Sequence, residues 1–188
     1  MHSLEPYYRW RPYYIASNDI RSPFYGAQYS EFEFSTSIYN YYIHPQWDDF
    51  GSETLFTKLL YVDYQKQYAI LEMLGEWNDC LHNDIMLFKQ SVIDRLQEYG
   101  IHQFIIIGEN ILTFHASDDC YYEEWYEDIA EEEGWICMLG LSTQVMQEMQ
   151  DYGIDQYILY GDFFETNWRP LKPAVLYQHI VHKVESYL

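Results

Sequence analysis

Between Thr113 and Glu133 the chain reads TFHASDDCYYEEWYEDIAEEE, with one serine, one histidine and nine carboxylates in 21 residues and no lysine or arginine. Three chemistries use residues of these types. His115, Ser117 and Asp118 or Asp119 could supply a nucleophilic triad, which needs an imidazole within reach of the hydroxyl and a carboxylate on its far nitrogen. Immediate neighbours in sequence seldom achieve that geometry, and no G-x-S-x-G elbow presents the serine. A regulatory phosphoserine is the second reading: a helix start favours a phosphate, while two adjacent aspartates repel one. In the third, Ser117 or Asp118 caps the following helix by accepting from its free N–H groups. Capping is the commonest work of these residue types at such a place.

The residues behind the serine repeat carboxylates at helical spacing, Asp119, Glu123, Glu127 and Glu131, with Glu124, Asp128 and Glu132 alongside. Like charges four apart cost a few tenths of a kcal/mol per pair, and Glu131–Glu133 oppose the dipole at the helix end. Such a helix must be held by its Tyr122, Trp125, Tyr126 and Ile129 stripe. Its acidic face is then either a solvated surface or a docking face for a basic partner. Metal binding would need carboxylates converging from several elements, and neither a DxDxDG loop nor HExxH occurs. His179 and His182, three apart, have no cysteine near them to complete a zinc set. No GxGxxG or Walker loop calls for a nucleotide, so neither a metal nor a cofactor is expected.

The elements that must position these residues alternate in type. TLFTKLLYVDYQ and KQYAILEMLG read as two strands around a turn at Gln65–Lys66. Ile85, Phe88, Val92 and Leu96 mark a helix over 83–99, opened by Asn83/Asp84 and stopped at Gly100. HQFIIIG, WICMLG and DQYILYG are short apolar runs of the buried-strand type. They predict strands over 103–108, 135–139 and 156–160, mainly parallel to one over 67–74. Helices over 120–133, 142–152 and 173–187 separate and follow them, with Ser142 as a cap and Pro173 suited to a first turn. The pattern predicts an α/β fold built on a mixed, mainly parallel sheet. Four of these runs end in glycine, at Gly75, Gly108, Gly140 and Gly161. Residues 51–188 are read as this domain, and 1–50 as a Tyr-rich arm with one strand, Glu31–Tyr42. The arm is too aromatic for a solvated linker, so it should pack on its own domain or on a second copy.

A formal net charge of -20 disfavours nucleic acid and anionic membranes, which both need a basic surface. Hydrophobic residues at 48% rule out a disordered chain. Three cysteines without a CxxC spacing, and no long apolar run, predict a soluble cytoplasmic protein without disulfides.

The order LGEWND, helix, HQFIIIG, LTFHASDD, helix, GWICMLGLSTQVMQEMQDYGIDQYI resembles the STAS domain, the family of anti-sigma factor antagonists, over roughly residues 58 to 162. In that resemblance Gly75-Glu76 stands where the family has G-E. Asp79 lies near its Asp, Phe114 takes the loop's aromatic position, and Ser117 falls on the serine that family kinases phosphorylate. Ala116 replaces the loop's Asp, and Asp118 and Asp119 replace its second Ser and its Gly. The resemblance implies a non-catalytic regulatory module, with Ser117 as its phosphorylation position and a kinase or anti-sigma-like protein as partner. The expected interaction surface comprises Asp118, Asp119, Glu123, Glu127, Glu76 and Asp79, and a homodimer through the arm is a further expectation. The alternative is a small enzyme using Glu76, Asp79, Glu109, Asn110 and Asp162 at the strand ends.

Overall fold

The computed structural model describes residues 4–187. Its main sheet has four strands in the order β3-β4-β5-β6: Leu55–Asp63, Tyr68–Asn78, Gln103–His115 and Trp135–Leu139. β3 and β4 form the expected antiparallel hairpin, and β4, β5 and β6 run parallel. The fold is therefore mixed α/β with a mainly parallel sheet, as the alternation of elements requires.

Period-two alternation sorts the strands onto two cores. Leu71, Met73 and Trp77 of β4, with Phe104 and Ile106 of β5, face the larger core. There they meet Ile85, Phe88, Val92 and Leu96, then Tyr122, Trp125 and Ile129 of helix α3 (Cys120–Ala130), and Val145 and Met149 of helix α4 (Thr143–Asp151). Tyr68, Ile70, Ile105 and Ile107 face the other way, onto Leu176, Ile180 and Val184 of helix α5 (Pro173–Tyr187). The Tyr68 and Tyr177 rings stack with centroids 3.8 Å apart, fixing α5 to β4.

The predicted helix over 83–99 is observed as α1 (Asp84–Phe88) and α2 (Asp94–Gln97) joined by a π turn, Lys89–Ile93. The wider turn brings Lys89 into the buried stripe, where its ammonium meets Asp94, Glu124 and Asp128 at 2.8–2.9 Å. Three other expectations are corrected. β5 does not stop at 108 but runs to His115, because β4 continues beside it through Asn78↔His115. The strand over 156–160 reduces to one parallel bridge, Cys137↔Leu159: residues 154–156 coil into a 3₁₀ turn, so only Leu159 reaches β6. Of the Glu31–Tyr42 strand only a hairpin of two-residue strands remains, β1 (Ser37–Ile38) with β2 (Tyr41–Tyr42), because among the described residues no neighbouring strand accepts the rest and Phe32 lies in solvent.

The strand-end glycines divide as well. β4 and β5 pass through Gly75 and Gly108, whereas Gly140 follows the last residue of β6. Gly75 has φ 122, and a Cβ there would collide with the carbonyl oxygen of Thr54, so a close backbone crossing requires glycine.

Residues 4–50 lie on the domain. Ala16, Phe24 and Phe50 enter the larger core, while Trp10 enters the core under α5. The segment between Trp10 and Ala16 therefore passes from one face of the sheet to the other, around β3, which is its edge strand. Covering an edge strand in this way blocks unwanted strand pairing.

Candidate functional site

β4 and β5 end side by side, pairing Glu76↔Thr113, Trp77↔Phe114 and Asn78↔His115. The chain leaving β4 then hooks onto the chain leaving β5. The Asp79 N–H donates to the His115 carbonyl at 2.9 Å, and the Cys80 thiol donates to the Ala116 carbonyl at 2.9 Å. Ala116 is buried, which holds the loop down, and Ser117 and Asp118 stand out into solvent.

Asp79 lies beneath this loop at 4% exposure, so it is not part of an interaction surface. Its carboxylate accepts from the Trp77 indole N–H at 3.0 Å, the Ile85 N–H at 2.9 Å and the Tyr122 hydroxyl at 2.6 Å. Burial pushes it up to about 6 against the pull of those three donors. The neighbouring Asp84, also buried, accepts from the Asn78 N–H at 2.7 Å, and burial raises it too. Burial and the Asp79 charge together hold the Tyr122 phenol far above its ordinary range. Trp77, Phe114 and Tyr122 complete an aromatic base under the loop.

Ser117 does not cap α3. The cap position is Asp119, whose side chain makes no cap bond and instead accepts from the Tyr157 hydroxyl at 3.1 Å. Asp118 performs part of the expected capping, accepting from the Cys120 N–H at 3.2 Å and from its thiol at 2.8 Å. That carboxylate raises the Cys120 thiol. The Tyr122–Trp125–Ile129 stripe is buried as expected, but Tyr126 is exposed and packs beside Tyr157. The acidic face divides in two. Glu124 and Asp128 turn to Lys89, whereas Glu123 and Glu127 face solvent. Burial would lower Lys89, and the three carboxylates override it, so its pKa is raised.

The carboxylates of the enzyme alternative do not converge. Glu76 accepts from the Tyr39 hydroxyl at 2.8 Å, Asp79 is sealed under Tyr122, and Asp162 is exposed in a turn. Glu109 pairs with Arg169 and accepts from the Trp168 indole at 2.7 Å. Asn110 donates to Glu72 at 3.3 Å.

Sequence pattern does not single out Glu72 as a site residue, although it is the only charged residue in the apolar run YAILEMLG. It is 2% exposed, accepts from the Tyr7 N–H at 2.8 Å, and is pushed up to about 7 by burial, with Glu109 adding to the rise and Arg169 opposing it. Tyr7 and Trp10 pack edge-on against Trp168, and the Trp10 indole donates to the Leu171 carbonyl at 2.9 Å. Lys89 also has a legible signal, since it falls four residues after Ile85, inside the apolar stripe.

Among the described residues no group of three or more His, Cys, Asp or Glu is placed to hold a metal, and no helix is long and apolar enough to cross a membrane.

No family model matches the sequence, and the search of curated proteins gives no match. Among solved structures, the chain resembles the anti-sigma factor antagonist SpoIIAA in its unphosphorylated form, at 13% identity over 56% of this chain and 87% of that one, with a TM-score of 0.46. It also resembles TM1081 solved by NMR, at 14% identity over 78% and 97%, TM-score 0.45. The crystal structure of that putative anti-sigma factor antagonist from Thermotoga maritima aligns at 10% identity over 66% and 92%, TM-score 0.44. Likenesses at this level concern the fold and carry no functional argument.

Proposed function

We propose that this chain is a non-catalytic regulatory module that docks a protein partner at the β4–β5 end, with Ser117 as the position where phosphorylation or its absence is read. The observation that carries this reading is the outward presentation of Ser117, Asp118, Glu123 and Glu127 on a base fixed by Asp79 and Tyr122. A recognition surface benefits from such a base, because a pre-ordered loop loses little entropy on binding. The partner is a kinase or anti-sigma-like protein with a basic contact surface, met in the cytoplasm. Asp118 accepts from Cys120 and Asp119 from Tyr157, which holds both carboxylates beside Ser117. They set a standing negative potential that a phosphate at Ser117 would deepen.

The test is photo-crosslinking in cells with a benzoyl-phenylalanine placed at Glu127, at Glu123 and, as a control elsewhere on the surface, at Val175. One protein captured at the first two positions and not at the third, and lost when Asp118→Asn is added, supports the reading. A hydrolytic or transferase activity of the purified chain that disappears with Ser117→Ala overturns it in favour of the enzyme.

A further inference from the structure

A second surface lies on the opposite face of the same strand ends. The β1–β2 hairpin leans over the end of β4 and leaves a groove of about 290 Å³ lined by Ile38, Tyr39, Tyr41, Leu74, Glu76 and Leu112. Its lining is apolar except for Glu76, and three of its walls are open to water: Leu112 is 59% exposed, Tyr39 73% and Tyr41 57%. A contiguous apolar patch of this kind on an otherwise acidic surface is a mark of an interaction site. The floor is firm: Ile38, Ile43, Trp47, Phe56 and Leu74 form a buried cluster beneath it, and the Tyr39 hydroxyl is tied to Glu76.

The neighbouring backbone also lacks a strand partner on one side over part of its length. β6 accompanies β5 only from Gln103 to Ile107, yet β5 continues to His115 with β4 on its other side. Among the described residues no strand pairs that edge of β5 beyond Ile107. An extended segment laid along such an edge gains main-chain hydrogen bonds and places alternate side chains on the face that carries Leu112.

Charge decides the occupant. A second copy would bring another -20 to the groove, and an anionic membrane or nucleic acid would be repelled in the same way. A segment with lysine or arginine beside its apolar side chain is attracted, and Glu76 sits in the wall to receive one of those charges. We infer that this groove binds an extended segment of a partner protein in which a bulky apolar residue is flanked by basic ones. The inference rests on the interaction-module reading and supplies it with a second contact, separate from Ser117.

The experiment is selection of a displayed random peptide library on the purified full chain, followed by fluorescence polarisation with the enriched peptides. Peptides with an apolar residue next to Lys or Arg are expected to enrich. Their affinity should fall at least about tenfold, or ~1.4 kcal/mol, with Leu112→Glu and with Tyr41→Ser, and weaken as salt rises. Both side chains are exposed, so matched melting curves will verify that the variants remain folded. Ser117→Arg should leave peptide affinity unchanged, which separates failure here from failure of the Ser117 reading. The inference is overturned if no such peptides enrich, or if those that do bind Leu112→Glu as well as wild type. Sedimentation showing a wild-type dimer that Leu112→Glu dissociates also overturns it, since the groove would then be filled by a second copy.

Discussion

Glu72 and Asp79 are two buried acids of one strand and its immediate continuation, and the molecule holds them in different ways. Asp79 takes its three hydrogen bonds from Trp77 on β4, Ile85 on α1 and Tyr122 on α3, all parts of the central α/β framework. Glu72 takes one from Asn110 on β5 and the other from the backbone of Tyr7 in the amino-terminal arm. Both acids are raised by burial, to about 6 and about 7. One network braces the junction under Ser117 from within, while the other makes attachment of the arm part of the folded state. The junction should therefore be insensitive to the arm's chemistry, whereas titration of Glu72 should be felt where the arm attaches.

Removing the arm tests that division most severely. Deleting residues 1–30 takes Trp10 and Phe24 out of their cores and uncovers Trp168, Glu72 and the edge of β3. At about 2–3 kcal/mol for each buried aromatic, the loss is on the order of 5 kcal/mol. The melting temperature is expected to drop by roughly 10 °C or more. Calorimetry on the truncated chain checks it, and an unchanged melt would mean that the arm is not held by these contacts.

Lys89 sharpens the comparison from the framework side. Its ammonium is buried against three partly exposed carboxylates from two helices. Lys89→Ala leaves a void and three unneutralised charges, and about 3 kcal/mol of stability should be lost. Lys89→Met refills the volume and should recover part of it. Urea denaturation of both variants separates packing from pairing, and equal losses would show that only the charge matters.

The next effect is smaller and depends on pH. The folded state holds the proton on Glu72 up to about 7, whereas the unfolded chain releases it near the usual 4.5. Over that window the folded state binds more protons than the unfolded one, so this residue's contribution to stability falls as pH rises. Glu72→Gln keeps the volume and removes the titration. It should flatten the stability profile and leave the variant more stable than wild type near pH 8, by roughly 2 kcal/mol. Parallel profiles for the two proteins would remove Glu72 from the account.

The fold was legible where one physical signal dominated. The stripe of Ile85, Phe88, Val92 and Leu96, and the runs HQFIIIG and WICMLG, named their elements because burial alone dictates those patterns. The alternation EFEFSTSIYNYY misled because it specifies only a half-buried strand and not a neighbour to pair with, and Phe32 is left in solvent. DQYILYG carried the right composition, yet a 3₁₀ turn used its first residues. At the site, the exposure of Ser117 and Asp118 and the buried face of α3 followed from local pattern. The burial of Asp79 did not, since it depends on Tyr122, 43 residues away in sequence. Lys89 and Glu72 were visible only as charged residues inside apolar periodicities, a signal that marks a buried charge without naming its partners.

The smallest expected effect on stability is at Ser117, and it separates a cap from a recognition element. The side chain is exposed, and the helix behind it is capped elsewhere, with Asp119 at the cap position and Asp118 accepting from Cys120. Ser117→Ala should therefore change stability by no more than about 0.5 kcal/mol, well below the ~1 kcal/mol that loss of a working cap costs. Asp118→Asn keeps an acceptor oxygen for the Cys120 N–H and should be as mild. The two variants differ in charge: Ser117→Ala removes the phosphorylation position, and Asp118→Asn removes one fixed negative charge beside it. If the loop is read by a partner, both should weaken the crosslink formed from Glu123 while their melting curves overlay that of wild type. A loss of ~1 kcal/mol with unchanged crosslinking would make the junction a structural cap, and the comparison with Glu72 would then be between two stabilising networks, with recognition placed elsewhere on the surface.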